Sequence, residues 1–179
     1  MKNVLILSSS PRKGGNSDML CDQFAQGASE AGHQVEKIRL AELEINYCTG
    51  CGVCFEKKML CSQKDDMAGV LEKMVAADVI VLATPVYFYT MCGQMKTLID
   101  RTCPGYTHIK DKDFYFILTA ADTDLAAMER TVEGFRGFTD CCLTRAREKG
   151  VIYGVGAWHI GEIKKSPAMR QAFDMGRNA

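Results

Sequence analysis

The sequence predicts a three-layer α/β fold, a doubly wound five-stranded parallel sheet in the order 2-1-3-4-5. Three observations carry this reading. Short apolar runs alternate with amphipathic stretches of helical length along the chain, which is the pattern of crossover units joining parallel strands. The first run stops in a Ser/Pro/Gly-rich loop that opens a helix. The third run is apolar at almost every position, as a central strand covered on both faces requires. With 179 residues the chain is long enough to bury a sizeable core without staples and reads as one domain, 1–179.

The elements follow in order. An apolar run beginning at Val4 is the first strand. A helix opens at Ser17 with Met19, Leu20, Phe24, Ala28 and Ala31 at helical spacing, and Gly32 ends it. Val35 to Leu40 is a shorter, more polar strand whose charges suit an edge position. An irregular insertion, 41–64, holds four cysteines. Asp65 and Asp66 cap a helix whose apolar face is Met67, Val70, Leu71, Met74 and Val75. Asp78 to Ala83 is the central strand, and it ends in Thr84-Pro85-Val86-Tyr87-Phe88-Tyr89. Gln94 to Arg101 is helical, and Phe114 to Leu118 is another buried strand running into Thr119-Ala120-Ala121-Asp122-Thr123-Asp124. A helix is expected from Leu125 to about Lys149, broken near Gly134 and Gly137. Val151 to Ala157 is the fifth strand, and Ser166-Pro167 start a final helix that Gly176 closes.

Between the first strand and its helix lies Ser8-Ser9-Ser10-Pro11-Arg12-Lys13-Gly14-Gly15-Asn16-Ser17. A helix N-terminus offers unpaired N–H groups and the positive end of its dipole, glycines let the backbone approach, and Arg12 and Lys13 add charge. A phosphate monoester fits such a loop best. The spacing matches neither G-x-x-x-x-G-K-[ST] nor G-x-G-x-x-G, so nucleoside triphosphates and dinucleotides are poor candidates. In a flavodoxin-like sheet of order 2-1-3-4-5 the ends of strands one and three form the topological switch point. The aromatic stretch Tyr87-Phe88-Tyr89 lies at the second of these ends, so a ligand with a phosphate and a flat ring would span the two. Response regulators share the fold but need acidic residues after strand one, where this chain has serines.

Lysine plus arginine equals aspartate plus glutamate at 22 each, so no global field draws the chain to nucleic acid or an anionic membrane. The apolar stretch around Val79 falls short of the ~20 residues of a membrane span, and the N-terminus enters a strand directly, so a cytoplasmic location is expected. Nine cysteines then read as reduced thiols or metal ligands. Cys48, Cys51, Cys54 and Cys61 are spaced C-x2-C-x2-C-x6-C with glycines in the first two gaps. Four thiolates from one compact loop suit a cubane [4Fe–4S] cluster, with a zinc knot or free thiols as the alternatives. Cys21, Cys92, Cys103, Cys141 and Cys142 lack ligand spacing and read as buried thiols, and His33, His108 and His159 receive no role.

Ser9 to Ser17, Thr84 to Phe88 and Gly93-Gln94-Met95-Lys96 through Ile99-Asp100-Arg101 resemble the NAD(P)H-dependent FMN reductases of flavodoxin-like fold, over essentially the whole chain. The four-cysteine motif is similar to that of the iron-sulfur flavoproteins within them. The resemblance implies FMN, with Ser10, Arg12, Asn16 and Ser17 holding the phosphate and Pro85, Val86, Tyr87 and Phe88 along the isoalloxazine. Thr119 and Asp122 are the ring contacts expected of the third loop, which departs from the family by carrying Ala120-Ala121-Asp122 where relatives commonly have glycines; the alternative is that Asp122 or Thr123 caps the next helix. It further implies a [4Fe–4S] cluster on Cys48, Cys51, Cys54 and Cys61, ferredoxin or NAD(P)H as electron donor, a small-molecule acceptor, and a homodimer or homotetramer. No catalytic acid or nucleophile is expected, because the redox chemistry belongs to the cofactor. Two alternatives remain: an NAD(P)H-dependent flavin or quinone reductase whose cysteines are structural, and a metal-stapled interaction module on the same scaffold.

Overall fold

The computed structural model describes residues 1–56 and 60–179, so part of the cysteine insertion, residues 57–59, lies outside the described residues. The strands are β1 (Asn3–Ser8), β2 (Gln34–Arg39), β3 (Val79–Tyr87), β4 (Thr90–Met91), β5 (Asp113–Thr119) and β6 (Arg147–Gly154). The helices are α1 (Asn16–Glu30), α2 (Val53–Glu56), α3 (Met67–Ala76), α4 (Gly93–Arg101), α5 (Ala126–Cys142) and α6 (Ala168–Arg177). Five strands form a parallel sheet in the order β2-β1-β3-β5-β6, and the short β4 pairs antiparallel with the end of β3. Without that hairpin strand this is the expected 2-1-3-4-5 order.

The pattern of the central strands explains the layers. Leu5 and Leu7, Ile80 and Leu82, Phe114, Phe116 and Leu118 face the core under α3, α4 and α5. Val4 and Ile6, Val79, Val81 and Ala83, Tyr115 and Ile117 face the core under α1 and α6. Both faces of these strands are therefore dry, which is why they carry apolar residues at consecutive positions. Phe116 stacks on Phe135 of α5 at 4.8 Å and Phe24 of α1 meets Tyr115 edge-on at 5.0 Å, so each layer is keyed to the sheet by one aromatic pair. The more polar β2 is an edge, and its Lys37 and Arg39 reach the buried Asp18 of α1.

Several boundaries depart from the expectation. β3 does not stop at Ala83; it continues through Tyr87 into a hairpin whose turn is Phe88-Tyr89, both at positive φ (49° and 65°). Two successive left-handed residues are what the tightest hairpin turn demands, and non-glycine residues there store strain. α5 is continuous through Gly134 and Gly137 and ends at Cys142, not near Lys149. Gly134 is used for packing, since a Cβ there would stand 2.9 Å from the Met91 methyl. β6 runs Arg147–Gly154, ahead of the expected Val151–Ala157, because this edge strand opens with exposed charged residues that hide it from an apolar pattern. Gly176 lies within α6, against the backbone of Phe24, and Asn178 follows as the cap. No described helix is long and apolar enough to cross a membrane.

Candidate cofactor cleft and cysteine pocket

Four strand ends converge on one cleft of about 520 Å³. Ser10, Arg12, Gly15, Asn16 and Ser17 come from the loop after β1; Pro85 to Phe88 come from the end of β3; Thr119, Ala120 and Ala121 follow β5; Ala157 and Trp158 follow β6. This is the crevice at the carboxyl ends of the strands, at the switch point between β1 and β3. Its volume sits within the roughly 300–1,000 Å³ common for small-molecule sites.

The loop after β1 is built in two tiers. Ser8 and Ser9 are structural: the Ser8 hydroxyl donates to Asp18 at 3.0 Å, and Ser9 donates to the Ala83 carbonyl at 2.7 Å, locking β1 to β3. Asp18 accepts the Gly14 N–H at 3.0 Å and pairs with Lys37 at 3.0 Å. Burial pushes the Asp18 carboxyl up, but the Lys37 ammonium, the Gly14 N–H and the Ser8 hydroxyl outweigh it and hold the carboxyl below its ordinary range. Its charge is thereby neutralised by β2, and it does not cancel the field at the mouth of α1.

The upper tier faces the cleft. α1 begins after Gly15 with no side chain capping it, so its first-turn N–H groups keep their donors free. Gly15 is required for space, since a Cβ would stand 2.9 Å from the Ser10 hydroxyl and 3.0 Å from the Arg12 carbonyl. Ser17 is 1% exposed and its hydroxyl has no hydrogen-bond partner. A buried hydroxyl without a partner beside an uncapped helix start is a donor set that an anion's oxygen fits. Among the described residues no carboxylate pairs with Arg12; it donates to the Trp158 carbonyl at 3.0 Å. Serine, arginine and helix N-terminus thus form a donor set suited to a phosphate. The opposite wall, Pro85, Val86, Tyr87 and Phe88 with Ala120 and Ala121, is an apolar slot suited to a flat ring.

Of the residues expected here, Ser10, Arg12, Asn16, Ser17, Pro85, Val86, Tyr87, Phe88 and Thr119 line the cleft together, and Asp122 does not. The Asp122 carboxylate folds back to accept the Asp124 N–H at 2.9 Å and its carbonyl accepts Gly156 N–H at 2.8 Å, so it shapes its own turn. Asn16 lines the cleft, but its carboxamide is committed elsewhere. It donates to the carbonyls of Ala157 (3.1 Å) and His159 (2.9 Å) and accepts from Gly161 N–H (3.0 Å), clipping the loop after β6 onto the start of α1. Glu162 completes that loop by accepting the Trp158 and His159 N–H groups at 2.8 Å, and these donors hold its carboxyl below the ordinary range. Trp158, 63% exposed on the rim, was missed by sequence reasoning, and only its position after the last strand signals it.

A second, smaller pocket is lined by Cys48, Cys51, Cys54 and Cys61, and by Cys103 and Arg101 from the end of α4. The positive φ of Gly50 (66°) and Gly52 (77°) turns the chain back on itself so that the thiols face one space. Cys51 hydrogen-bonds the Ser62 hydroxyl at 3.1 Å, which holds its thiol below the ordinary range. Arg101 donates to the Cys61 sulfur at 3.6 Å, and Cys54 lies 3.5 Å from the Cys103 sulfur. Burial, then the Cys54 contact, pushes the Cys103 thiol up to about 11. Four thiols and a guanidinium are a donor set that fits an anionic iron-sulfur cluster, although among the described residues no three His, Cys, Asp or Glu side chains stand within reach of one metal ion. Of the remaining cysteines, Cys21 and Cys92 are buried as expected, whereas Cys141 and Cys142 are exposed and Cys103 is half-buried against the motif.

An ion pair ties the insertion to the end of α4. Asp65 accepts two bonds from Arg101, at 2.7 and 2.8 Å, with both side chains under 5% exposed. Asp65 also accepts the Asn46 N–H (3.1 Å) and the Met67 N–H (3.2 Å), so it caps α3 while Asp66 accepts Glu44 N–H (2.7 Å). The Arg101 bond chiefly holds the Asp65 carboxyl at about 2 against an ordinary 3.8. That difference is worth about 2 kcal/mol, present above pH ~4 and lost as the pH falls from about 4 to about 2. Asp65→Asn is expected to cost about 3–5 kcal/mol at neutral pH, because it strands a buried guanidinium. It is also expected to flatten the acid limb of a stability profile in that window; an unchanged limb in urea melts would contradict the pairing.

The comparisons with known proteins agree with this architecture. The family model for NADPH-dependent FMN reductase matches residues 2–136. An iron-sulfur flavoprotein of Archaeoglobus fulgidus is 44% identical over 108 residues, 60% of this chain and 48% of that protein. An iron-sulfur flavoprotein of Methanocaldococcus jannaschii is 41% identical over 101 residues, 56% of this chain and 52% of that protein. The chain thus spans about half the length of the curated relatives it matches. Among solved structures, NAD(P)H:quinone oxidoreductase from Methanothermobacter marburgensis superposes with a TM-score of 0.73 over 99% of this chain and 96% of that one, at 18% identity, a likeness of fold alone. With three quarters of its length matched by the family model, and the phosphate loop and both switch-point strands inside that match, the chain belongs to the NADPH-dependent FMN reductase family.

Proposed function

We propose that the protein is an FMN-dependent oxidoreductase of the iron-sulfur flavoprotein type. The observation that carries the reading is the cleft itself: an uncapped helix start with an orphaned Ser17 hydroxyl at one end and an apolar slot at the other. Ser10, Arg12, Ser17 and the first turn of α1 would hold the phosphate of FMN. Val86, Tyr87, Phe88, Ala120 and Ala121 would flank its ring, and Trp158 would close the rim from the loop that Asn16 clips in place. FMN when bound supplies hydride and single-electron transfer. The chain's own residues would bind and orient it in the cleft, leaving it open to a nicotinamide or a small acceptor. The Phe88-Tyr89 turn, with both residues at positive φ, would bring these aromatic side chains to the edge of the cleft.

Cys48, Cys51, Cys54 and Cys61 are proposed to hold a [4Fe–4S] cluster, with electrons entering from ferredoxin or NAD(P)H. A second reading, a cluster-free flavin or quinone reductase with structural cysteines, is favoured by one observation: the described thiols do not converge on a single metal position. Absorption spectra of protein purified without oxygen, together with iron and acid-labile sulfide content, separate the two. Flavin bands with about four irons per chain support the first, flavin without iron supports the second, and a protein with neither flavin nor affinity for it contradicts both.

A further inference from the structure

Cys103 was unremarkable in the sequence, yet it joins the pocket of the four motif cysteines from a different element. It sits in the turn directly after α4, whereas Cys54 sits in α2, and the two sulfurs stand 3.5 Å apart across 49 positions of sequence. The other three motif thiols have different neighbours: Cys48 accepts Gly50 N–H, Cys51 meets Ser62, and Cys61 meets Arg101. Among the described residues no other two sulfurs are hydrogen-bonded to each other. Both Cys54 and Cys103 are half-buried, so a small molecule reaches them.

We propose that Cys54 and Cys103 are a dithiol pair that a small-molecule disulfide converts to a protein disulfide, and that this bond competes with metal for Cys54. In the first step one protein thiolate attacks a sulfur of the small disulfide, forming a mixed disulfide and releasing one small thiol. In the second the other protein thiolate attacks the protein sulfur of that mixed disulfide and releases the second small thiol. Two protein thiols are oxidised, the small disulfide is reduced by two electrons, and the two protons leave on the released thiols. A disulfide is about 2.0 Å long, so the two sulfurs need to close by about 1.5 Å. α4 is a firm platform for Cys103, because Arg101 is anchored by the buried Asp65.

The second half of the proposal rests on the cluster reading above, since a Cys54 sulfur bound to Cys103 is no longer a thiolate ligand. The disulfide and metal occupancy are then mutually exclusive, and oxidation of the pair blocks loading until a reductant reopens it.

The test uses the 179-residue chain, reduced, freed of iron by a chelator and exposed to oxidised glutathione without oxygen. The expected result is the loss of two hydrogens per chain, a Cys54–Cys103 linked peptide after alkylation and digestion, and no such link in Cys103→Ser. Iron and sulfide uptake is expected to be lost in the oxidised wild type and restored by dithiothreitol, whereas Cys103→Ser, lacking the thiol that resolves the mixed disulfide, is expected to hold a glutathione adduct on Cys54 and no protein disulfide there. A link confined to the motif cysteines, a glutathione adduct with no protein disulfide in the wild type, or uptake by the wild type that survives formation of the mapped link overturns the proposal. If reduced wild type takes up neither iron nor sulfide, the cluster reading fails and the mapped link still decides the pair.

Discussion

Ser17→Ala is expected to weaken FMN binding by about 10- to 100-fold while leaving the flavin-free protein at least as stable as wild type. The hydroxyl is buried in the second position of α1, lines the cleft and has no partner within the protein. A hydrogen bond to a charged oxygen is worth about 1.5–3 kcal/mol, and each 1.4 kcal/mol is tenfold in affinity. In the flavin-free state the same hydroxyl is a liability, because an unsatisfied buried polar group costs about 1–3 kcal/mol that a methyl group does not. Affinity and stability therefore move in opposite directions, a pairing that a merely structural serine does not produce. Riboflavin serves as the control, since it lacks the phosphate and its affinity should barely change. FMN affinity within twofold of wild type, or a lowered urea midpoint, would remove Ser17 from the anion site.

Gly176→Ala is expected to destabilise the fold by about 3 kcal/mol or more, lowering Tm by roughly 6–12 °C for a chain of this size. Helix propensity alone predicts the reverse, a gain of about 1 kcal/mol for alanine over glycine inside a helix. Packing decides the sign. A Cβ on Gly176 would stand 2.1 Å from the Phe24 carbonyl oxygen, and one on Gly27 would stand 2.0 Å from the Phe173 carbonyl oxygen. These are backbone atoms, so no side-chain rotation relieves the clash, and α1 and α6 must move apart. Because α1 also carries the proposed phosphate site, their separation should tilt its first turn and weaken FMN binding as well. Gly137→Ala is the control: it lies in α5 with nothing within 4 Å of its Cβ position and should be neutral or slightly stabilising. An unchanged Tm for Gly176→Ala would mean that the two helices do not cross this closely.

The parallel sheet was legible because β1, β3 and β5 are dry on both faces, a condition that leaves no room for polar residues and so writes itself into the sequence as continuous apolar runs. The tight turn from β1 into α1 was legible for the same kind of reason, since few residue types fill a close approach to a helix start. What remained hidden depends on partners distant in sequence. The role of Asn16 is set by carbonyls more than 140 positions away, and Asp122 turns back to its own loop although its place after β5 resembles a cleft position. Trp158 and Cys103 carry no local pattern; one reaches the cleft because β6 ends beside β5, the other reaches the thiol pocket because α4 ends beside it. Gly176 reads as a helix terminator from sequence, and only the crossing with α1 shows that its lack of a side chain is spent on proximity. The hairpin beyond β3 escaped because its turn is built from Phe88 and Tyr89 at positive φ, where glycine or asparagine is the usual signal.

The occupancy of the cleft is best tested by titrating FMN into the flavin-free chain while recording the fluorescence of Trp158, the one tryptophan of the sequence. A ring in the slot and a phosphate on α1 predict saturable quenching at one FMN per chain, with riboflavin weaker by at least about tenfold for want of the charged contacts. Quenching that never saturates, or riboflavin bound as tightly as FMN, would contradict it.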